Sequence, residues 1–282
     1  MTSEEDFLSQ LRLHDAVWVT VQSHRGSVPR EAGAWMAVFA QNQVGTIGGG
    51  HLEWQALREA RHRLAGRSGE PAIRFALGPS LGQCCGGEVV LGFETVSAAD
   101  VSRLQALFSQ ARLGLPPVAL FGGGHVGRAL AHIVASLPVQ LRWVDSRDEI
   151  FPSPLPVHVQ AEYSDPVQAA VADLAPGSLV VIMSFSHAED LEVVAACLTR
   201  RRARADLPFL GLIGSKSKWA TFRRRLEARG FTAQELAQVT CPIGVPGISG
   251  KAPEVIAVAV AAQLLQAVSL GFVTGQLPEG RD

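Results

Sequence analysis

The run Phe121-Gly122-Gly123-Gly124-His125-Val126-Gly127-Arg128-Ala129 fits G-x-G-x-x-G through Gly122, Gly124 and Gly127. Alone this pattern is weak. Here it follows a short apolar run, Val118 to Phe121, and opens a helix-like stretch with Leu130 and Ile133, while Asp145 ends the next apolar run about twenty residues on. The chemistry is anion binding. Gly122 and Gly124 let the backbone turn tightly and approach a phosphate, and Gly127 lets helix and strand pack closely. Gly123, His125 and Val126 lie in the same turn, where the helix N-terminus offers unpaired N–H groups and a partial positive charge. Asp145 can accept hydrogen bonds from ribose hydroxyls or from a heterocycle's amino group. Arg147 either pairs with a further phosphate or is a solvated loop arginine. A turn rich in glycine only for packing is the alternative, but strand, helix and acid together favour a phosphate-bearing ligand.

Three other segments carry reactive or charged groups. Gln83-Cys84-Cys85-Gly86-Gly87 places two adjacent thiols in a glycine-flanked loop, suited to binding a soft metal or carrying sulfur. The alternative, which composition alone favours, is one buried, inert cysteine and one packed into a neighbouring strand. Gly45-Thr46-Ile47-Gly48-Gly49-Gly50-His51-Leu52-Glu53, with Ser27-Val28-Pro29-Arg30, forms a second glycine-rich helix entry. Arg30, His51 and Glu53 there are ligand candidates, against the plainer reading of a tight turn and a helix cap. Ser184-Phe185-Ser186-His187-Ala188-Glu189-Asp190 and Ile213-Gly214-Ser215-Lys216 each follow a strand-like run. In a doubly wound sheet, such positions put His187, Asp190, Gly214 and Ser215 at the ligand crevice, where Ser186 and the Gly-Ser turn also serve as caps. Arg223-Arg224-Arg225 reads as a solvated helix face.

The elements that position these residues fall into two kinds. The first part reads as α+β: strands at Ala16–Val21, Ala34–Ala40, Ala72–Leu77 and Glu88–Glu94, with helical stretches from Leu52 to near Gly66 and from Ala98 to Arg112. Gly114-Leu115-Pro116-Pro117 ends the last helix, and the domain junction is placed there, giving domains 1–114 and 115–282. The second part alternates strands (Val118–Phe121, Val139–Val144, Val157–Val159, Leu179–Met183, Phe209–Ile213) with helices (Val126–Ser136, His187–Arg201, Lys216–Arg229, Glu254–Val268). Apolar strands alternating with helices require a parallel sheet covered on both faces. The fold class is α/β, a C-terminal Rossmann-like parallel sheet with a smaller N-terminal α+β domain.

With 47% hydrophobic and 18% charged residues in 282, the chain can fill two cores. Its 25 basic residues balance 26 acidic ones, so no global charge draws it to nucleic acid or to an anionic membrane. The charged N-terminus, MTSEEDFLSQLRLHDAV, lacks a signal-peptide pattern. The longest apolar run, Val255 to Leu265, is shorter than the roughly 20 residues a bilayer requires. Cys84, Cys85, Cys197 and Cys241 include no CxxC pair and no secreted disulfide framework. A cytoplasmic, reducing location is expected.

Together these residues resemble the XdhC/CoxI family. The N-terminal part is similar through Gly26 to Arg30, Gly45 to His51, Glu53 and Gln83 to Gly87. The C-terminal part is similar through Phe121 to Gly127, Val144 to Arg147, His187 with Asp190, Gly211 to Ser215, and Cys241-Pro242-Ile243-Gly244. The Cys-Cys-Gly-Gly loop places it nearer the xanthine dehydrogenase accessory branch than the CoxI-like one. The resemblance implies a carrier, non-catalytic or weakly catalytic, for a molybdopterin-type molybdenum cofactor. Such a carrier works with a cysteine desulfurase in sulfuration, inserts the cofactor into xanthine dehydrogenase, and is associated with homodimers. It also raises the weight of a metal-ligand role for Cys84 and Cys85. The alternatives are an NAD(P)-dependent oxidoreductase with His187 as acid or base, and a nucleotide-sensing interaction module.

Overall fold

The computed structural model describes residues 3–77, 87–156 and 158–273, which form two compact units dividing between Gln110 and Ala111. The N-terminal unit contains helix α1 (Ser3–Leu11), strands β1 (Ala16–Arg25), β2 (Trp35–Val38) and β3 (Gln43–Gly45), helix α2 (Gly50–Leu64), strands β4 (Ala72–Ala76) and β5 (Glu88–Val96), and the start of α3 (Val101–Leu113). Its sheet runs β3-β2-β1-β5-β4, antiparallel throughout.

Alternation along β1 sorts the side chains to two faces. Val17, Val19 and Val21 join Met36, Val38 and the Leu52-Ala56-Ala60 stripe of α2 in one core. Ala16 and Trp18 join Ala37, Phe7 and Leu11 of α1, and Leu104 and Phe108 of α3 in the other. That second core is aromatic: Trp35 lies 5.3 Å from both Phe7 and Phe108. Helix α1 is absent from the sequence reading, yet Phe7 and Leu11, one turn apart and fully buried, are its signature.

The C-terminal unit is a six-stranded parallel sheet. Its elements are β6 (Pro117–Phe121), α4 (His125–Val134), β7 (Gln140–Asp145), β8 (Val159–Tyr163), β9 (Leu179–Ile182), α5 (His187–Arg204), β10 (Phe209–Leu212), α6 (Lys216–Glu227), α7 (Ala233–Leu236), β11 (Val239–Thr240) and α8 (Pro253–Val273). The order β11-β10-β9-β6-β7-β8 is the doubly wound dinucleotide-fold order, reversing between β6 and β9. Val118, Leu120, Leu179 and Val181 pack with α4 and α8. Ala119, Phe121, Val180 and Ile182 pack with α5 and α6. Both faces are therefore covered, which is why these strands read as unbroken apolar runs. The third strand begins at Val159, where the expected strand 157–159 ends, and continues to Tyr163; Val157 lies outside the described residues. The apolar run 255–265 lies within α8, with Ala257, Val260, Ala261 and Leu264 in the core. Among the described residues no helix is long and apolar enough to cross a membrane.

Candidate functional site

In the N-terminal unit the two glycine-rich segments converge. A Cβ built on Gly48 would lie 2.3 Å from Pro29 Cβ and 3.3 Å from Arg30 Cγ, so the Ser27–Arg30 loop packs directly on this glycine. Glu53 ties the turn together. It accepts from Thr46 Oγ1 (2.5 Å), Gln43 Nε2 (3.0 Å), and the amides of Ile47 and Gly49 (both 3.1 Å). Burial pushes its carboxyl up, but those hydrogen bonds, led by the Thr46 hydroxyl, outweigh it and hold it below the usual range. Arg30 and His51 are exposed, and the His51 ring lies 5.2 Å from that of Trp54. Cys84 and Cys85 lie outside the described residues. Among the described residues no group of three or more His, Cys, Asp or Glu side chains is arranged to hold a metal.

In the C-terminal unit, parallel strands deliver the loops after β6, β7, β9 and β10 to one edge of the sheet. The reversal between β6 and β9 opens a crevice there. The glycines of the first loop divide the work. Gly122 has φ +121°, and a Cβ on it would sit 1.9 Å from Met183 O on the neighbouring strand's exit. Its amide donates to Val144 O (2.8 Å), and its carbonyl accepts from the buried Trp143 Nε1 (2.9 Å). A Cβ on Gly127 would meet that same carbonyl at 2.1 Å, which is the close helix–strand contact. Gly124 differs. Its backbone is extended (φ −65°, ψ −173°), it stands at the N-cap of α4, and among the described residues a Cβ there meets nothing within 4 Å. Tight turning thus belongs to Gly122 and close packing to Gly127, while Gly124 faces open space at the positive end of α4. His125 is exposed beside it, and Val126 is half-buried against the core.

A scan against protein families matches residues 118–264 to the XdhC Rossmann domain and residues 12–76 to the XdhC and CoxI family. The chain belongs to the XdhC/CoxI family. The XdhC/CoxI chain is 28% identical over 256 residues to YqeB of Escherichia coli K12, a protein described as uncharacterized; the match covers 86% of this chain but only 41% of that relative. The crystal structure of a Bacillus halodurans protein described as a xanthine dehydrogenase superposes with a TM-score of 0.71, covering 96% of each chain at 19% identity. At that identity the likeness concerns the fold.

The remaining candidates of this XdhC/CoxI chain form two polar clusters at the crevice edge. Asp145, 1% exposed, accepts from Gly123 N (2.6 Å) and from Arg147 N, Nε and Nη2 (2.9, 2.8 and 2.9 Å). Arg147 also stacks on the Phe185 ring, 4.3 Å from its centroid. Asp190 accepts from Ser184 N (2.7 Å) and pairs with Lys218 Nζ (2.6 Å), which also donates to Ile213 O (2.8 Å). Gly214 makes room for that lysine, since a Cβ there would lie 2.6 Å from Lys218 Cδ. Ser215 and Ser186 cap α6 and α5 through the amides of Lys218 and Glu189. His187 is exposed, its ring edge-on to Phe222.

Sequence reasoning missed Lys218, Glu189 and Ser184. Glu189 accepts from Ser146 Oγ (2.9 Å) and Phe185 N (3.1 Å), joining the loops after β7 and β9. Ser184 Oγ is buried without a hydrogen-bond partner among the described residues. Only Glu189, three residues past the capping Ser186, carried a sequence signal.

Burial pushes the Asp145 carboxyl up, but the Arg147 side chain and the Gly123 amide outweigh it and hold it below its ordinary value of 3.8. A carboxyl depressed on folding stabilises fully above its unfolded value, and that contribution disappears as pH falls through the folded one. Asp145→Asn is therefore expected to lower the urea midpoint at neutral pH, and the gap from wild type should close below about pH 4. A gap that stays constant to pH 2.5 would mean that the charge contributes nothing.

Proposed function

We propose that this protein is a carrier of molybdenum cofactor for xanthine dehydrogenase, with the cofactor as cargo and its phosphate held at the Gly122–Gly127 turn. The observation that carries the reading is the open face of Gly124 at the N-cap of α4, at the sheet's reversal, in a chain of this family. First-turn amides of a helix have no partner within it, and at the N-terminus of α4 they suit an anion. The orphaned Ser184 hydroxyl, in the loop packed against Gly122, supplies a further donor of the kind a phosphate would satisfy. Asp190 acts by positioning, because it holds the Ser184 amide and Lys218. His125, His187, Gly214 and Ser215 rim the same edge as candidate contacts.

In this reading a cysteine desulfurase supplies sulfur, while Cys84, Cys85, Arg30 and His51 stay ligand candidates of the N-terminal unit taken by itself. The carrier works as a homodimer in the cytoplasm. Release on docking requires only moderate affinity, weakened by the enzyme. The oxidoreductase alternative needs Asp145 to accept from a ribose diol; its engagement by Gly123 and Arg147 favours the carrier. The test is transfer: protein loaded with cofactor is mixed with cofactor-free xanthine dehydrogenase, and activity is followed. Wild type should restore it and Gly124→Asp should not. Equal restoration by both would remove the Rossmann turn from the function.

A further inference from the structure

An ionised carboxylate offers about four lone-pair positions on its two oxygens. On Asp145 the chain itself fills all of them. Oδ2 accepts from Gly123 N and Arg147 Nη2, and Oδ1 accepts from Arg147 N and Nε. The guanidinium is held from a second direction by the Phe185 ring, which reaches it from the loop after β9. Those two loops are themselves joined, because Glu189 accepts from both Ser146 Oγ and Phe185 N. The arrangement spans the point where the sheet order reverses.

In this fold the acid at the end of the second parallel strand reads a dinucleotide by accepting from its ribose hydroxyls. A diol arriving at Asp145 finds no free lone pair. It must first displace a guanidinium that makes two charge-assisted hydrogen bonds and a cation–π contact. The Gly124 turn carries no such obstruction, since a Cβ there meets nothing within 4 Å.

We infer that Arg147 is an internal occupant of the ribose position, barring NAD-type dinucleotides from the crevice while leaving the Gly124 turn open to a phosphate. The ligand class is then a phosphate-bearing molecule whose recognition does not pass through a diol at Asp145. Selectivity of this kind comes from a feature built against the competitor, not from added contacts to the ligand. The inference rests on reading this crevice as the ligand site, and it deepens that reading by naming what the site excludes.

The test is calorimetric titration of NAD⁺, NADP⁺ and ADP-ribose into the full chain as wild type, Arg147→Ala and Phe185→Ala. Wild type should not saturate at millimolar nucleotide. Arg147→Ala frees one lone-pair position on each Asp145 oxygen and should tighten binding about tenfold or more. Phe185 is 64% exposed, so its removal spares the core and only loosens the guanidinium. Phe185→Ala should give a smaller gain in the same direction, and it carries the test should Arg147→Ala fail to fold. Wild-type binding of NAD⁺ or NADP⁺ that is lost in Arg147→Ala would make Arg147 a ligand contact and overturn the inference. Unchanged affinity in folded variants, checked by circular dichroism, would overturn it as well. Cofactor transfer is read separately, so the carrier reading and this one fail independently.

Discussion

Gly122→Ala is expected to lower the stability of the C-terminal unit by roughly 3–5 kcal/mol, combining overpacking with a backbone that L residues rarely adopt. The new methyl would lie 1.9 Å from Met183 O, a backbone atom of the adjoining strand's exit, which cannot rotate away. At φ +121° the residue would be strained even with space around it. Relief requires β6 and β9 to separate, and that would also disturb Gly122 O, which accepts from Trp143 and lies against Gly127. Urea unfolding followed by circular dichroism should show a large drop in midpoint. Gly124→Ala, in an extended conformation and open space, should change it by less than about 1 kcal/mol. Equal effects at the two glycines would mean that the division of labour within the turn is wrong.

Lys218→Met is expected to cost about 3–5 kcal/mol, because it leaves the Asp190 carboxylate buried without its counter-charge. The pair is enclosed, with side chains 11% and 3% exposed, so solvent screens it little. It also joins four pieces of the crevice: the Ser184 amide, α5 through Asp190, α6 through Lys218, and the end of β10 through Ile213 O. Asp190→Asn/Lys218→Met removes both charges while the amide oxygen still accepts from Ser184 N. It should recover about half of the loss or more, as expected when an unpaired buried charge is the main cost. If the double variant is as unstable as the single one, the lysine acts through packing and not through charge.

Much of the fold was legible because burial imposes periodicity. Strands covered on both faces had to be continuous apolar runs, so β6, β9 and β10 were identified almost to the residue. Shorter elements stabilised by neighbours were not. Strand β11 has two residues, paired with β10 and anchored by Val239 in the core, and α7 is one turn behind a Thr232–Glu235 capping box. Parallel strands also explain why motifs scattered from Gly122 to Ser215 arrive at one sheet edge, a convergence that follows from topology alone. What the sequence did not reveal was occupancy. Asp145 was read as an acceptor free for a ligand, but whether its lone pairs are free depends on the rotamer of Arg147 two residues on, and on Phe185 arriving from another loop. Lys218 was hidden for the same reason, since nothing local links it to Asp190, 28 residues away. Glu53 was read as a ligand candidate, yet its carboxylate holds the glycine turn of its own helix.

The most direct measurement of the central claim is cofactor retention. Purified chain is mixed with molybdopterin cofactor and passed through gel filtration, and the protein peak is assayed for pterin fluorescence in wild type and Gly124→Asp. Aspartate suits an N-cap, and Gly124 has an allowed backbone and open space, so the variant should fold at least as stably as wild type. It would, however, place a carboxylate where the phosphate is held. Retention by wild type and its loss in a fully folded Gly124→Asp is the predicted result. Equal retention by both would contradict the account and place the cofactor elsewhere in the chain.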